Sequence, residues 1–280
     1  MNTIKLKSML EQFYIEDIGD SDLSSEFLFP ETMIGELDIV AKMEGIFCGK
    51  KVIEEGLRVV DQSSTVNCYV EDGHSIEKGT VIATAKGPIH SLLKSERVIL
   101  NLIQRMSAIA TETNRVVEKV RGTGTKICDT RKTIPGLRML DKYAVRTGGG
   151  FNHRNGLYDA VMLKDNHIAF AGSIAKAVET VKASLGHTVK IEVEIETFEQ
   201  LQEAVGAKVD IIMFDNCKPE TIAEWRQIVP NTIITEASGM ITNDTIRAYA
   251  ESGVDYISLG YLTHSIKALD ISANIKNSTK

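Results

Sequence analysis

From about residue 120 onward, short apolar runs recur along the chain, each closed by polar residues: KICDTR at 126–131, AVMLKDN at 160–166, VKIEVEIE at 189–196, VDIIMFDN at 209–216, TIITEASG at 232–239 and VDYISLG at 254–260. Between them lie stretches with helical spacing of apolar positions, such as SIAKAVETVKASLG, TFEQLQEAVGA, PETIAEWRQIV and TNDTIRAYAESG. Strand and helix in alternation predict parallel β/α units. The polar residues Lys164, Glu194, Asp215 and Glu236 follow one another at intervals of 30, 21 and 21 residues. In a barrel of parallel strands such strand ends converge on one face. The segment holds about six or seven such strands, fewer than the eight of a full barrel. The expectation is therefore a smaller or incomplete barrel, placed at 107–267, behind a separate N-terminal domain at 1–106.

The N-terminal part has a different rhythm. The apolar stretches LDIVAKM, IFCGKKVI, STVNCYV and GTVIATA, between residues 37 and 85, are separated by Gly, Asp and Lys and read as strands joined by tight turns. From Ser95 to about Val120 the spacing turns helical, with apolar residues at 98, 99, 102, 103, 106, 109 and 110, and Ser95 is placed to cap the start.

Composition narrows the function classes. A chain of 280 residues with 43% hydrophobic and 25% charged residues builds a sizeable core. A formal charge of -6 argues against nucleic acid or an anionic membrane as a partner. The first residues mix Lys, Glu and Asp too closely for a signal peptide, and there is no long apolar run, so a cytoplasmic location is expected. Cys48, Cys68, Cys128 and Cys217 form no metal or redox motif and read as reduced thiols.

Charge is unevenly spread. Residues 126–167 hold eight basic and four acidic side chains, a local +4 that leaves -10 for the rest. A solvated basic loop is one reading of this block. A site for a multiply charged anion is the other, because Lys164 directly follows an apolar run, where a strand-end charge faces the catalytic rim. Arg131 and Arg154 are suited to gripping a carboxylate or phosphate through paired hydrogen bonds. Glu194 and Asp215 end the next two runs; each alone is equally a loop carboxylate or a salt-bridge partner, and their common strand-end position makes them a pair able to hold Mg²⁺ through water. The glycines of Glu236-Ala237-Ser238-Gly239 and of Gly260-Tyr261-Leu262-Thr263-His264 are either plain turn glycines or places where phosphate meets the main chain. Arg105 falls on the apolar stripe of Val98, Leu102 and Ile109. It either snorkels at a helix edge or projects into an anion site across a subunit contact.

The segment DTRKTIPGLRMLDKYAVRTGGGFNHRNGLYDAVMLKDNHI (129–168) closely resembles the central signature of the quinolinate phosphoribosyltransferase family. The resemblance continues through IEVEIETFEQL, MFDN, EASG and SLGYLTHS and, with FYIEDIGDSDLSSE near the start, covers essentially the whole chain. It implies an N-terminal α/β sandwich-like domain, an open α/β barrel, and a C-terminal tail at 268–280 packing back on the first domain. It implies a pentosyltransferase of NAD biosynthesis that moves phosphoribosyl from phosphoribosyl pyrophosphate to quinolinate, releasing pyrophosphate and CO2 and giving nicotinate mononucleotide.

By the same resemblance Arg105, Arg131, His153, Arg154 and Lys164 bind quinolinate, with Arg105 lent by a neighbouring subunit. Lys132, Ser238, Gly239, Gly260 and His264 bind phosphoribosyl pyrophosphate. Lys132, Glu194 and Asp215 carry the catalytic work, the two carboxylates holding Mg²⁺ through water. A homodimer with shared sites, able to assemble into a hexamer, is implied. Met240 departs from the family pattern, in which glycine commonly follows the Ser-Gly pair. The alternatives are a paralogue of the same fold acting on nicotinate or associated with molybdate transport, and a non-catalytic phosphate-sugar sensor. The concentration of cations favours a dicarboxylate substrate, and the carboxylate pair favours an enzyme.

Overall fold

A computed structural model describes residues 1–276 and divides the chain into two compact units. The first comprises Met1–Glu112, Met139–Gly148 and the chain from Ser265; the second comprises Thr113–Arg138 and Gly149–His264.

In the first unit helix α1 (Thr3–Ile18) is capped by the Asn2 side chain and buries Leu6, Leu10 and Tyr14. A single turn, α2 (Ser25–Leu28), precedes strand β1 (Ile34–Ala41), whose alternate residues Gly35, Leu37, Ile39 and Ala41 are buried. The two-residue strand β2 (Gly45–Ile46) leads into helix α3 (Lys50–Val60).

This helix overturns the reading of IFCGKKVI as a strand. Val52, Ile53, Gly56 and Leu57 are buried at helical spacing, and Asp72 caps the helix by accepting from the N–H groups of Gly49 and Lys50 at 2.7 and 2.9 Å. A cap supplied from so far along the chain leaves no local signal. Strands β3 (Thr65–Cys68), β4 (Ser75–Ile76) and β5 (Val81–Pro88) follow, β4 pairing with β2 while β3 and β1 flank β5 antiparallel.

Helix α4 (Ile89–Lys119) starts well before Ser95, directly after Pro88. Ser95 is buried within it, and its hydroxyl donates back to the Leu92 carbonyl at 2.8 Å instead of capping. The last turns of α4, from Thr113, belong to the second unit.

The second unit is built on a six-stranded parallel sheet. Its strands are β6 (Lys126–Cys128), then, after helix α5 (Arg138–Thr147), β7 (Val161–Leu163), β8 (Ile191–Ile195), β9 (Ile211–Asp215), β10 (Ile234–Ser238) and β11 (Tyr256–Ser258), in the order β6-β11-β10-β9-β8-β7. Each predicted apolar run supplies one of these strands. Helices α6 (Asp165–Ala171), α7 (Ile174–Lys182), α8 (Phe198–Gly206), α9 (Pro219–Arg226), α10 (Ile246–Glu251) and α11 (Tyr261–His264) alternate with them.

Beyond β6 a single parallel bridge joins Phe151 to Cys128, with Phe151 N–H donating to Ile127 O at 2.8 Å and Asp129 N–H donating to Phe151 O at 3.1 Å. Among the described residues no ladder closes this edge onto β7, so the barrel is open as expected. Outward-facing Ile191, Val193, Ile195, Ile212, Phe214 and Ala237 form one core with Leu201, Ala204, Ile222 and Ile246 of the surrounding helices. Burial of each large side chain contributes about 1.5–3 kcal/mol.

Strand β12 (Ile271–Lys276) returns to the first unit and pairs antiparallel with β1 from Ala41↔Ile271 to Glu36↔Lys276. Residues 277–280 of the tail expected to pack there lie outside the described residues. Among the described residues no helix is long and apolar enough to cross a membrane.

Candidate active site

The strand period of two decides what the second unit's sheet presents inward. Met162 and Lys164, Glu192 and Glu194, Ile211, Met213 and Asp215, Ile234, Glu236 and Ser238, and Tyr256 and Ser258 all lie on the inner face, their neighbours packing outward on the helices. At the C-terminal ends of the strands this face opens into a cavity of about 430 Å³. Arg131, Lys132, His153, Arg154, Lys164, Glu194, Asp215 and Ser238, all expected from sequence, line it, together with Thr130, Met162, Met213 and Ser258, which sequence reasoning missed. The missed residues are legible as positions two before, or on the neighbouring strand beside, those that were found.

The electrostatics are those of an anion site. Four cations, Arg131, Lys132, Arg154 and Lys164, meet two carboxylates, Glu194 and Asp215. Arg131 Nε is buried with no hydrogen-bond partner among the described residues, a donor that a bound anion would satisfy. Burial, and secondarily the Arg131 charge, lowers the affinity of Arg154 for its proton, while its Nη1 donates to Ala160 O at 3.2 Å. A guanidinium stays charged in such surroundings, so the repulsion is stored until an anion arrives.

Lys164 Nζ is hydrogen-bonded to Glu194 Oε1, which joins a residue expected to bind quinolinate to one expected to serve the metal. Burial nevertheless pushes the Glu194 carboxyl above its usual range against the pull of Lys164. Burial likewise raises Asp215 against Lys164 and Lys132. Two carboxyls that burial disfavours as anions form an oxygen donor set fit for a hard divalent cation.

The phosphate-side residues gather around Lys132. Its carbonyl accepts from Thr263 Oγ1 at 2.8 Å, and a side chain on Gly260 would meet Lys132 Cδ at 3.0 Å and the His264 ring at 3.1 Å. Gly239 follows Ser238 with φ +87, and a Cβ there would stand 2.1 Å from Asn216 Oδ1, so only glycine fits. Asn216 closes that turn by donating its N–H to Ser238 O at 2.9 Å. Met240, also at positive φ, is 80% exposed, and its left-handed backbone costs roughly 1–2 kcal/mol.

One expectation changes, and another gains detail. Glu236, read as a strand-end residue on the rim, lies in the middle of β10 and is 4% exposed; Ser238 ends that strand. It lines a second cavity, of about 480 Å³, with Ile211, Ile234 and Tyr256 from the opposite ends of the strands. His153, expected to bind quinolinate, lines the 430 Å³ cavity with both ring nitrogens within reach of protein groups. Nδ1 accepts from Arg154 N–H at 2.8 Å, and Nε2 is 3.0 Å from Glu192 Oε2 and 3.6 Å from Glu236 Oε1. Burial, then the Glu192 and Asp129 charges, pushes the Glu236 carboxyl well above its usual range.

Arg105 is on α4 in the first unit and does not line the 430 Å³ cavity of this chain. Its Nε and Nη2 donate to Asp141 Oδ1 and Oδ2, both at 2.8 Å, so within its own unit it is held by a carboxylate and does not simply snorkel.

Comparison with known proteins adds an independent line. The family model described as Quinolinate phosphoribosyl transferase, N-terminal domain, matches residues 22–107, and that for the C-terminal domain matches residues 109–274. The chain is 53% identical over 275 residues to a probable nicotinate-nucleotide pyrophosphorylase [carboxylating] of Bacillus subtilis, covering 98% of this chain and 95% of that one. It is 38% identical over 292 residues to quinolinate phosphoribosyltransferase [decarboxylating] 1b of Nicotiana tabacum, covering 98% of this chain and 83% of the relative. The crystal structure of NadC from Streptococcus pyogenes superposes with a TM-score of 0.95 at 36% identity, covering 99% of this chain and 98% of that one.

Proposed function

The chain belongs to the quinolinate phosphoribosyl transferase family, and from that premise we propose that the cavity at the strand C-termini transfers phosphoribosyl from phosphoribosyl pyrophosphate to quinolinate with Mg²⁺ and with loss of CO2. The observation that carries the reading is the excess of cations in a half-enclosed cavity: Arg131, Lys132, Arg154 and Lys164 against Glu194 and Asp215. Two polyanionic substrates need that excess, and a monocarboxylate acceptor needs less of it.

Each residue then has a physical task. Arg131 and Arg154 hold the two carboxylates of quinolinate and turn the ring nitrogen toward the sugar, which makes the encounter effectively intramolecular. Lys132 stabilises the charge that builds on the departing pyrophosphate. Ser238 and Gly239 take the sugar phosphate, with Gly260 and His264 beside Lys132. Lys164 shields Glu194 from Asp215 and the substrate dicarboxylate. Glu194 and Asp215 would hold Mg²⁺ through water, and the ion, when bound, supplies further charge stabilisation to the leaving group. After transfer the ring nitrogen is cationic, and that charge stabilises the electron pair left on the ring carbon when the adjacent carboxylate departs as CO2; a proton then adds to that carbon and completes nicotinate mononucleotide.

The test is product analysis with quinolinate or nicotinate as acceptor, in EDTA and after addition of Mg²⁺. Nicotinate mononucleotide and CO2 formed from quinolinate alone, abolished by EDTA and restored by Mg²⁺, is the expected result. Turnover only of nicotinate would reassign the acceptor, and activity that survives EDTA would remove the metal.

A further inference from the structure

Beneath the substrate cavity lies a buried acidic layer that the reaction as described does not use. Asp129 is 0% exposed, Glu192 2% and Glu236 4%, and the three surround the segment 152–154 that carries His153 and Arg154. Asp129 Oδ1 accepts from His153 N–H at 2.9 Å and its Oδ2 from Asn152 Nδ2 at 2.6 Å. Glu192 belongs to the second, floor-side cavity and does not line the substrate cavity, whereas His153 and Arg154 line both.

His153, Glu192 and Glu236 are close enough to hold a cation, with their donor atoms within 4.8 Å of one another. The ring's other nitrogen decides otherwise. Nδ1 accepts a hydrogen bond from Arg154 N–H, so the neutral ring carries its proton on Nε2, the atom aimed at Glu192. A metal on Nε2 would need the proton on Nδ1, where it would oppose the Arg154 N–H. The same constraint rules out a proton relay through the ring, because its far nitrogen has no lone pair to spare.

What remains is a chain of fixed orientation: the Glu192 carboxylate accepts from His153 Nε2, and His153 Nδ1 accepts from the main chain of Arg154. We propose that Glu192 is a positioning residue for the acceptor site, setting the His153 ring and through it the backbone from which the Arg154 guanidinium reaches quinolinate. Second-layer carboxylates that orient a histidine act in this way at other sites. The inference rests on the reading of Arg154 as a carboxylate-binding residue.

The test uses the full chain and measures kcat and both KM values for wild type, Arg154→Ala, Glu192→Ala, Glu192→Gln and the Arg154→Ala/Glu192→Ala double variant. Glu192→Ala is expected to raise the quinolinate KM about tenfold, equivalent to about 1.4 kcal/mol, and to leave that of phosphoribosyl pyrophosphate within about twofold. Glu192→Gln restores the wild-type value, since its amide oxygen still accepts from Nε2–H. In the Arg154→Ala background Glu192→Ala adds nothing further.

Equal rises in both KM values, additive effects in the double variant, or a Gln variant as impaired as Ala would each overturn the proposal. Glu192→Met, which fills the space but offers no acceptor to Nε2–H, provides the same reading if Glu192→Ala does not fold. Should Arg154→Ala itself leave the quinolinate KM unchanged, the assignment of Arg154 falls and the proposal with it; an effect of Arg154 without one of Glu192 removes the proposal alone.

Discussion

Replacing Arg105 by Met tests whether this arginine is first a structural element of its own unit. Its guanidinium meets Asp141 through two hydrogen bonds of 2.8 Å, and the side chains are 19% and 0% exposed. Removing one partner of a buried pair typically costs about 3–5 kcal/mol, because the remaining charge stays in a poorly solvating interior. Both residues have further polar interactions, which compensate part of the loss, so about 3 kcal/mol is the expected cost. At about 2–4 °C per kcal/mol for a protein of this size, Tm should fall by roughly 6–12 °C.

Arg105→Lys should recover little, since an ammonium cannot reproduce the two-pronged geometry. Arg105→Met/Asp141→Leu should be less destabilised than the sum of the single changes. Thermal unfolding followed by far-UV circular dichroism reports both units, and the fluorescence of Trp225, packed near Phe198 and Phe214 in the second, reports that unit separately. A Tm for Arg105→Met within about 1 °C of wild type by both probes would refute the reasoning.

If Arg105 also serves the acceptor site of a neighbouring copy, then mixing Arg105→Met with Arg154→Ala and allowing exchange should restore roughly a quarter of wild-type activity, half the dimers carrying one intact site; mixtures as inactive as their components would argue against shared sites. Gly239→Ala would force its Cβ within 2.1 Å of Asn216 Oδ1 at φ +87, so a KM for phosphoribosyl pyrophosphate raised at least about tenfold is expected, and an unchanged value would show that the turn does not form the phosphate site. Glu236→Gln tests the buried carboxyl: a folded-state value raised above the unfolded one gives stability that is complete below the ordinary glutamate range and is lost as pH rises through the raised value. The variant should therefore gain Tm over wild type at pH 8 and match it near pH 4; an equal difference at both pH values would contradict the shift.

The architecture of the second unit was legible because its signal is local. Each parallel strand is an apolar run whose outward residues must meet helices, and each run is closed by the polar residues that face the mouth. The first unit was less legible where its determinants come from afar. Helix α3 depends on the Asp72 cap, 22 residues beyond Lys50. The start of α4 is set by the end of β5 and not by Ser95, whose hydroxyl is used inside the helix. The partner of Arg105 was illegible for a related reason: Asp141 lies 36 residues away, inside the basic block at 126–167 but in a segment that joins the first unit.

The acidic layer was illegible for a different reason, and it is the more instructive one. In IEVEI, alternating apolar and charged residues ordinarily mark a strand with one face in water. In a barrel the charged face turns toward the axis, so Glu192 and Glu194 share a face but not an environment: Glu194 meets Lys164 at the mouth, while Glu192, one step deeper, meets His153 with almost no solvent. The same step separates Ser238 from Glu236 on β10. A cation-rich mouth above a buried acidic layer places arginines where water screens their charge little, and Arg154 is anchored there through hydrogen bonds that fix orientation. On this argument depth along a barrel strand separates the two tasks: Glu194 at the strand end faces the substrate cavity, while Glu192, two positions before it, aims Arg154 through His153.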